Sequence, residues 1–308
     1  MRVTVTGGAG FIGANLCRSL AARGHHVVVL DDLSTGSRSN LDEVHIVLRH
    51  GSILDARAVR DAVAGADSVV HLAAKASVVA SIEDPATTYA VNVNGTVAVL
   101  EAARAAGVGH LVVASSAAVY GPEPAVPAAE SLAPAPAHPY GASKLATEVA
   151  ALAHARAYGM GVLALRFFNV FGPLQPAHHV YAAAVPAFVD AAVAGRPVPV
   201  HGDGLQTRDF VDVEHVAAVL VDAVERGVAH DGPVNLAGGE ERTLLALAAE
   251  LEAVLGRPLE LAHGPARPGD ARRSRADVAV LRRLFPALRP TPLPDALRAT
   301  VDWFTARV

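Results

Sequence analysis

The chain opens Met1-Arg-Val-Thr-Val-Thr-Gly-Gly-Ala-Gly-Phe-Ile-Gly13, a short apolar strand running straight into a glycine-punctuated turn and then a helix. Gly7, Gly10 and Gly13 stand at a characteristic spacing: the first permits a tight turn, the second lets backbone approach a pyrophosphate, and the third lets helix press on strand. The N–H groups at the start of that helix then face phosphate charge. A second apolar run, 26–30, ends at Asp31, eighteen residues beyond Gly13 and close to where a ribose-binding carboxylate belongs. Glycines also make ordinary turns. Strand, helix and acid at matching offsets are what make this triplet read as a nucleotide cradle.

Outward from that start, apolar strands alternate with helical patterns, as in a parallel sheet covered on both faces. The periodicity predicts strands over 3–6, 26–30, 45–48, 68–72, 110–114 and 161–166, and helices over 11–23, 56–64, 85–106 and 140–158. The fold class is α/β, a doubly wound parallel (Rossmann) sheet. Residues 121–139 are dense in proline and alanine and read as an irregular loop. Beyond Arg166 shorter elements are punctuated by Gly172-Pro173, Gly195-Arg-Pro197, His201-Gly-Asp-Gly204 and Arg267-Pro-Gly-Asp270, which predicts a smaller C-terminal α/β lobe for the substrate. The expected division is 1–166 plus about 208–237 for the nucleotide-binding domain, and 167–207 plus 238–308 for the lobe.

Composition excludes several classes. Hydrophobic residues are 52% of 308 and mean hydropathy is +0.33, but alanine supplies much of this. No run approaches the roughly 20 apolar residues of a membrane span. The glycine turn interrupts anything resembling a secretory signal, so a cytoplasmic location is expected. A net charge of −4 and a pI near 6.4 give no basic footprint for nucleic acid. The single cysteine, Cys17, excludes an internal disulfide. The fourteen histidines form no H-E-x-x-H pattern; adjacent His178 and His179 read as loop residues, and no metal is expected.

The chemistry centres on Tyr140-Gly-Ala-Ser-Lys144, where helical i, i+4 spacing turns phenol and ammonium toward a single ligand. A free tyrosine is a poor base at neutral pH, with a pKa of roughly 10; a neighbouring cation favours its phenolate. An isolated Tyr-x-x-x-Lys is usually a core tyrosine beside a solvated lysine. Here, however, 24 arginines accompany only two lysines, Lys75 and Lys144. A composition that accepts arginine so readily has kept a compact amine at this position, one able to reach both a phenolate and a ribose hydroxyl. Upstream, the strand over 110–114 runs into Ser115-Ser116. The carboxyl ends of parallel strands border the ligand crevice, so Ser116 is placed to hydrogen-bond a reacting hydroxyl. The same pair would also serve to satisfy backbone groups at a strand end.

The ordered set T-G-G-A-G-F-I-G, H-L-A-A, N-V-N-G-T, S-S-A-A-V-Y-G, Y-G-A-S-K, R-F-F-N-V-F-G-P and G-D-G-x-Q-T-R-D-F resembles the extended short-chain dehydrogenase/reductase family, and within it the nucleotide-sugar 4-epimerases of the UDP-glucose 4-epimerase type. The motifs run from Val3 to Asp270. The resemblance implies a tightly held NAD that takes a hydride from the sugar's 4-position, leaving a 4-keto sugar that turns over and receives the hydride on its other face. It makes Tyr140 the base, Lys144 its pKa modulator and ribose ligand, and Ser116 the hydroxyl-orienting partner.

Around the cofactor it implies roles for Phe11 and Ile12 over the pyrophosphate, and for Asp31 on the adenosine ribose, whose edge Asp32, Leu33, Ser34, Thr35 and Gly36 line. Ser52 and Ile53 flank adenine; Leu72, Ala73 and Ala74 line the middle; Asn92 forms the floor, with Ser115 and Phe167 nearby. Ser52 departs from the family's usual aspartate. Asp31 disfavours a 2′-phosphate and so selects NAD over NADP.

For a UDP-sugar substrate the resemblance implies Asn169, Arg208 and Arg267 on the diphosphate, where guanidiniums meet phosphate oxygens in bidentate fashion, Asp270 on the ribose, Val200 and His201 around the base, and Val185 as a further substrate-binding residue. Two features narrow the reaction. The related 4,6-dehydratases carry Asp-Glu directly after the serine, as elimination of water needs an extra acid and base; this chain has Ala117-Ala118. The loop after Asn169 lacks an arginine for a glucuronate carboxylate, which points to a neutral hexose. A UDP-glucuronate 4-epimerase, another dehydratase or oxidoreductase of the family, and a non-catalytic NAD-sensing protein are the alternatives. The resemblance also implies a homodimer joined through two helices per subunit.

Overall fold

The computed structural model describes residues 1–177, 183–266 and 271–307. Six strands follow one another through the first half: β1 (Arg2–Thr6), β2 (His26–Asp31), β3 (Ile46–His50), β4 (Ser68–His71), β5 (His110–Ser116) and β6 (Gly161–Phe167). With a later strand, Val234–Leu236, they form one seven-stranded parallel sheet. Its order is Val234–Leu236, β6, β5, β4, β1, β2, β3. The order reverses beside β1, so the crevice at the strands' carboxyl ends opens over the glycine turn.

Each central strand is apolar on both sides because each face is covered. Val112, Leu163 and Leu165 pack into a cluster with Leu16 and Leu20 of helix α1 (Phe11–Ala22); their neighbours Leu111, Val113 and Val162 enter a second cluster on the opposite face. This period-two split is what a doubly covered sheet requires. The second cluster takes in α2 (Ala56–Val63), α5 (Gly95–Ala105) and α6 (Pro139–Tyr158). Between α2 and α5 lie two short helices, α3 (Val78–Glu83) and α4 (Pro85–Tyr89). The single helix expected over 85–106 is therefore interrupted, by a π-helical turn at Ala90–Asn94. That turn carries Asn92, whose carbonyl accepts hydroxyl hydrogen bonds from Thr96 (2.6 Å) and Thr147 (2.8 Å). Its apolar period continues across the break, which is why periodicity reads one helix. The sequence pattern does not announce α3: Val78-Val79 gives it no helical signature, and it starts from the Ser77 hydroxyl accepting from the Ala80 N–H.

The later elements are α7 (Ala184–Val193), α8 (Val213–Arg226), α9 (Leu244–Leu255), α10 (Ala279–Leu284) and α11 (Leu293–Thr305). α8 packs on α1 against the first face. A third apolar cluster joins Phe188 and Val189 of α7, Leu247 and Leu251 of α9, and Leu297 and Val301 of α11. Three two-stranded pairs flank it: Asn169–Phe171 with Phe210–Asp212, Val198–His201 with Leu261–Gly264, and Thr207–Arg208 with Arg242–Thr243. Among the described residues no helix is long and apolar enough to cross a membrane.

Candidate active site

A single cleft of about 860 Å³ runs from the glycine turn, past the ends of β4 and β5, to the short strands around Arg208. The glycines explain its first wall. Gly7 has φ +72°, and a Cβ there would lie 2.6 Å from the Ala73 nitrogen; a Cβ at Gly13 would run into the Gly7 carbonyl and lie 2.7 Å from the Gly8 Cα. Only bare backbone lets β1, β4 and α1 meet this closely. α1 begins at Gly10 with no side-chain cap and no acidic residue in its first turn, so its N–H groups are left for an anion. Asp31, buried at the end of β2, accepts from the Ala9 N–H (2.9 Å) on one oxygen and the Leu33 N–H (2.8 Å) on the other. Each oxygen keeps a lone pair for a ribose hydroxyl.

The opposite wall carries the titratable groups. Pro139 at the first turn and the His138 ring, which accepts from the Gly141 N–H, start α6 so that Tyr140 and Lys144 face the cleft one turn apart. The Lys144 ammonium donates to the Ala114 carbonyl at the end of β5 (2.8 Å). It has no other protein acceptor among the described residues, so its remaining N–H donors are available to a ligand. Burial brings this lysine down to about 8. Burial pushes the Tyr140 phenol above its ordinary value, while the Ser116 hydroxyl acts in the opposite direction by favouring the phenolate. A dinucleotide with a cationic ring fits this arrangement, because it would bring the positive charge the buried phenol needs in order to ionise.

Of the residues singled out in the sequence, Gly7, Gly10, Phe11, Ile12, Gly13, Asp31, Asp32, Ser34, Thr35, Ile53, Leu72, Ala73, Ala74, Ser115, Ser116, Tyr140, Lys144 and Phe167 line the cleft, as do Asn169, Val185, His201 and Arg208. Others stand behind its wall. Val200 is buried in the third cluster, since strand alternation turns Pro199 and His201 to the cleft and Val200 to the core. The Gly36 backbone packs under Ala9 and Gly10, Leu33 packs on the first cluster, and the Ser52 hydroxyl accepts from the Leu54 N–H. Asn92 acts one step removed: its amide accepts from the Lys75 N–H (2.8 Å) and donates to the Lys75 carbonyl (3.0 Å). Ser115 lies at the cleft, but its hydroxyl turns away to Glu148. Arg267, Asp270, His178 and His179 lie outside the described residues.

Sequence reasoning missed Lys75, which lines the cleft beside Ala74. The scarcity of lysine that singled out Lys144 applies equally to it. Gln206 and Phe210, also in the cleft wall, belong to the G-D-G-x-Q-T-R-D-F stretch that carries Arg208, whereas the Asp190–Arg196 ion pair beside them has no motif to announce it. Asp209 is not the surface partner of Arg208 that their adjacency suggests. It is fully buried, and its carboxylate accepts from the Gly238, Gly239 and Ala276 N–H groups. Burial pushes its carboxyl up to about 7, with those hydrogen bonds opposing. These bonds anchor the strand that presents Arg208 to the cleft.

Comparison with known proteins agrees with this geometry. Residues 3–237 match the model of the NAD dependent epimerase/dehydratase family. A UDP-glucose 4-epimerase of Mycolicibacterium smegmatis is 39% identical over 99% of this chain and 98% of its own length. A UDP-N-acetylglucosamine 4-epimerase from Methanobrevibacter ruminantium, solved with UDP-N-acetylmuramic acid, superposes with a TM-score of 0.94 at 32% identity, covering 100% of this chain and 99% of that one. A UDP-glucose 4-epimerase from Thermus thermophilus, solved with NAD, gives 0.89 at 36% identity, with both chains fully covered.

Proposed function

Because the chain belongs to the NAD-dependent epimerase/dehydratase family, we propose that it interconverts UDP-hexoses at C4, acting on the UDP-glucose/UDP-galactose pair or the corresponding N-acetylhexosamines. The observation that carries this reading is the convergence of Ser116, Tyr140 and Lys144 on one cleft whose far end holds Asn169 and Arg208. The turn at Gly7–Gly13, Asp31, Lys75 and Lys144 would hold the cofactor. When bound, NAD would supply a hydride acceptor for the sugar C4 and, once reduced, a hydride donor for the other face of the same carbon.

The protein's own part is proton handling and orientation. Tyr140 takes the proton of the sugar 4-hydroxyl onto its phenolate oxygen and gives it back, a step worth typically 10²–10⁴ in rate. Lys144 stabilises the phenolate by charge, and Ser116 orients the reacting hydroxyl. Arg208 and Asn169 hold the diphosphate. Ala117 and Ala118 form a 3₁₀ turn after Ser116 with no carboxylate, which favours epimerisation over dehydration. Val170, Phe171, Gln175, Pro176 and Ala177 in the cleft wall carry no charge, which favours a neutral hexose over a glucuronate.

The exposed side chains of Tyr89, Val97, Val149 and Tyr158, spread over α4, α5 and α6, support a homodimer joined through α5 and α6. The third apolar cluster supports the division into a nucleotide domain and a substrate lobe.

Purified protein incubated with UDP-glucose, UDP-N-acetylglucosamine or UDP-glucuronate should interconvert one of the first two pairs without added NAD. Tyr140→Phe should stop turnover and leave bound NAD in place. Stoichiometric NADH release, or a dehydrated or decarboxylated product, refutes the epimerase reading.

A further inference from the structure

Behind the cleft lies a buried polar assembly that the reaction as described does not use. Glu148 sits one helical turn past Lys144 on α6, and its carboxylate receives three hydrogen bonds. Arg166 Nη2 donates to Oε1 (2.7 Å) and Arg166 Nε to Oε2 (2.9 Å), while the Ser115 hydroxyl donates to Oε2 (2.9 Å). Both charged side chains are nearly inaccessible, at 3% and 4% exposure. The Arg166 guanidinium stacks 4.7 Å over the Tyr120 ring, whose hydroxyl donates to the Asn235 amide oxygen (2.6 Å) on the neighbouring strand.

A buried ion pair is weak evidence for stability, since well-packed apolar residues of similar volume are often as good. What it supplies is a fixed register, because a bidentate carboxylate–guanidinium fork tolerates little displacement. We propose that Glu148 is a positioning residue whose carboxylate ties β5, β6 and α6 at one point and thereby sets the placement of Ser116 relative to Tyr140 and Lys144. Each tied element carries a cleft residue close to the knot: Ser116 follows Ser115, Phe167 follows Arg166, and Lys144 precedes Glu148 by one turn. Loss of the knot lets α6 shift against the end of β5. The Ser116–Tyr140 contact and the Lys144–Ala114 hydrogen bond both span that junction. The groups around the phenol are Lys144 on its own helix, Ser116 on β5, and the His138 ring stacked 6.1 Å away.

The inference rests on the epimerase reading for its kinetic test, so a second readout independent of turnover accompanies it. Wild type, Glu148→Gln and Ser115→Ala are compared at one temperature well below the Tm of each. The expected result for Glu148→Gln is a kcat lower by about tenfold to a hundredfold, the scale for sub-ångström to ångström misplacement, with KM little changed. The acid limb of the kcat profile should move to higher pH. Ser115→Ala should show a smaller change in the same direction, and the double variant should be no worse than Glu148→Gln, as expected for one shared linkage. Ultraviolet difference titration of the NAD-loaded protein, each form against its Tyr140→Phe counterpart, should show the phenol ionising at higher pH in both variants.

A lower Tm with unmoved kcat, pH profile and phenol titration overturns the proposal and leaves Glu148 a structural residue. If Glu148→Gln does not fold, Ser115→Ala decides by the same criteria. Wild type that fails to epimerise refutes the functional reading alone, and the phenol titration still decides the role of Glu148.

Discussion

His71, at the end of β4, offers a quantitative test of how the cleft floor is held. Its ring is buried between two hydroxyls: Thr6 Oγ1 lies 2.7 Å from Nδ1 and Thr96 Oγ1 lies 3.0 Å from Nε2. Thr96 already donates its proton to the Asn92 carbonyl, so it accepts from Nε2–H, and Nδ1 accepts from Thr6. The ring is therefore neutral. Burial, assisted by the positive charge of Lys144, holds its pKa at about 3, against 6.5 for a free histidine. Below pH 6.5 the unfolded chain binds a proton that the folded chain refuses, so stability is present above 6.5 and is lost as pH falls toward 3.

The loss approaches about 1.4 kcal/mol per pH unit well below 6.5 and comes to about 1.6 kcal/mol between pH 6.5 and about 5, a window chosen to lie above most carboxylate titration. Urea unfolding across this window, for wild type and His71→Asn, should give free energies whose difference changes by about that amount. Buried His110 and His215 are also shifted downward and the Asp209 carboxyl is pushed up to about 7, and all three contribute equally to both proteins, so the comparison isolates His71. Parallel lines would refute the argument. They would mean that the folded protein accommodates a charged imidazole between Thr6 and Thr96, and that this floor is softer than its hydrogen bonds indicate.

Three further outcomes are expected. Gly13→Ala should weaken NAD binding and lower Tm, because the new methyl lies 2.7 Å from the Gly8 Cα and must push α1 off the turn; overpacking of this kind costs about 1–3 kcal/mol, and calorimetric titration of the apoprotein with NAD checks it. Asp31→Ser should narrow the preference for NAD over NADP, since it removes the carboxylate that repels a 2′-phosphate; an unchanged ratio of the two dissociation constants would remove Asp31 from the ribose site. Arg208→Lys should raise KM for the UDP-sugar more than it lowers kcat, because a lysine cannot reproduce a bidentate contact with phosphate; a pure kcat effect would place Arg208 at the reacting sugar instead.

Local sequence was sufficient wherever conformation is carried by neighbours in the chain. The turn from Thr6 to Gly13, the acid at Asp31, and the Tyr140–Lys144 pair each depend on spacing within one strand, turn or helix, and backbone sterics and helical periodicity translate that spacing directly into geometry. The same periodicity located the six principal strands, because a sheet covered on both faces leaves continuous apolar runs of recognisable length. It passed through the π-helical turn at Ala90–Asn94 without a sign, since the apolar pattern continues on either side.

Tertiary structure alone decided what depends on residues far apart in the chain. It turned Val200 inward and His201 toward the cleft, through the pairing of 198–201 with 261–264. It buried Asp209 under the amides of Gly238, Gly239 and Ala276, and it joined Ser115, Glu148 and Arg166 across three elements. A carboxylate in sequence looks the same whether it will meet water or a guanidinium. Which of these it meets is set by how the sheet and helices pack, and so is the environment that gives each buried group its protonation state.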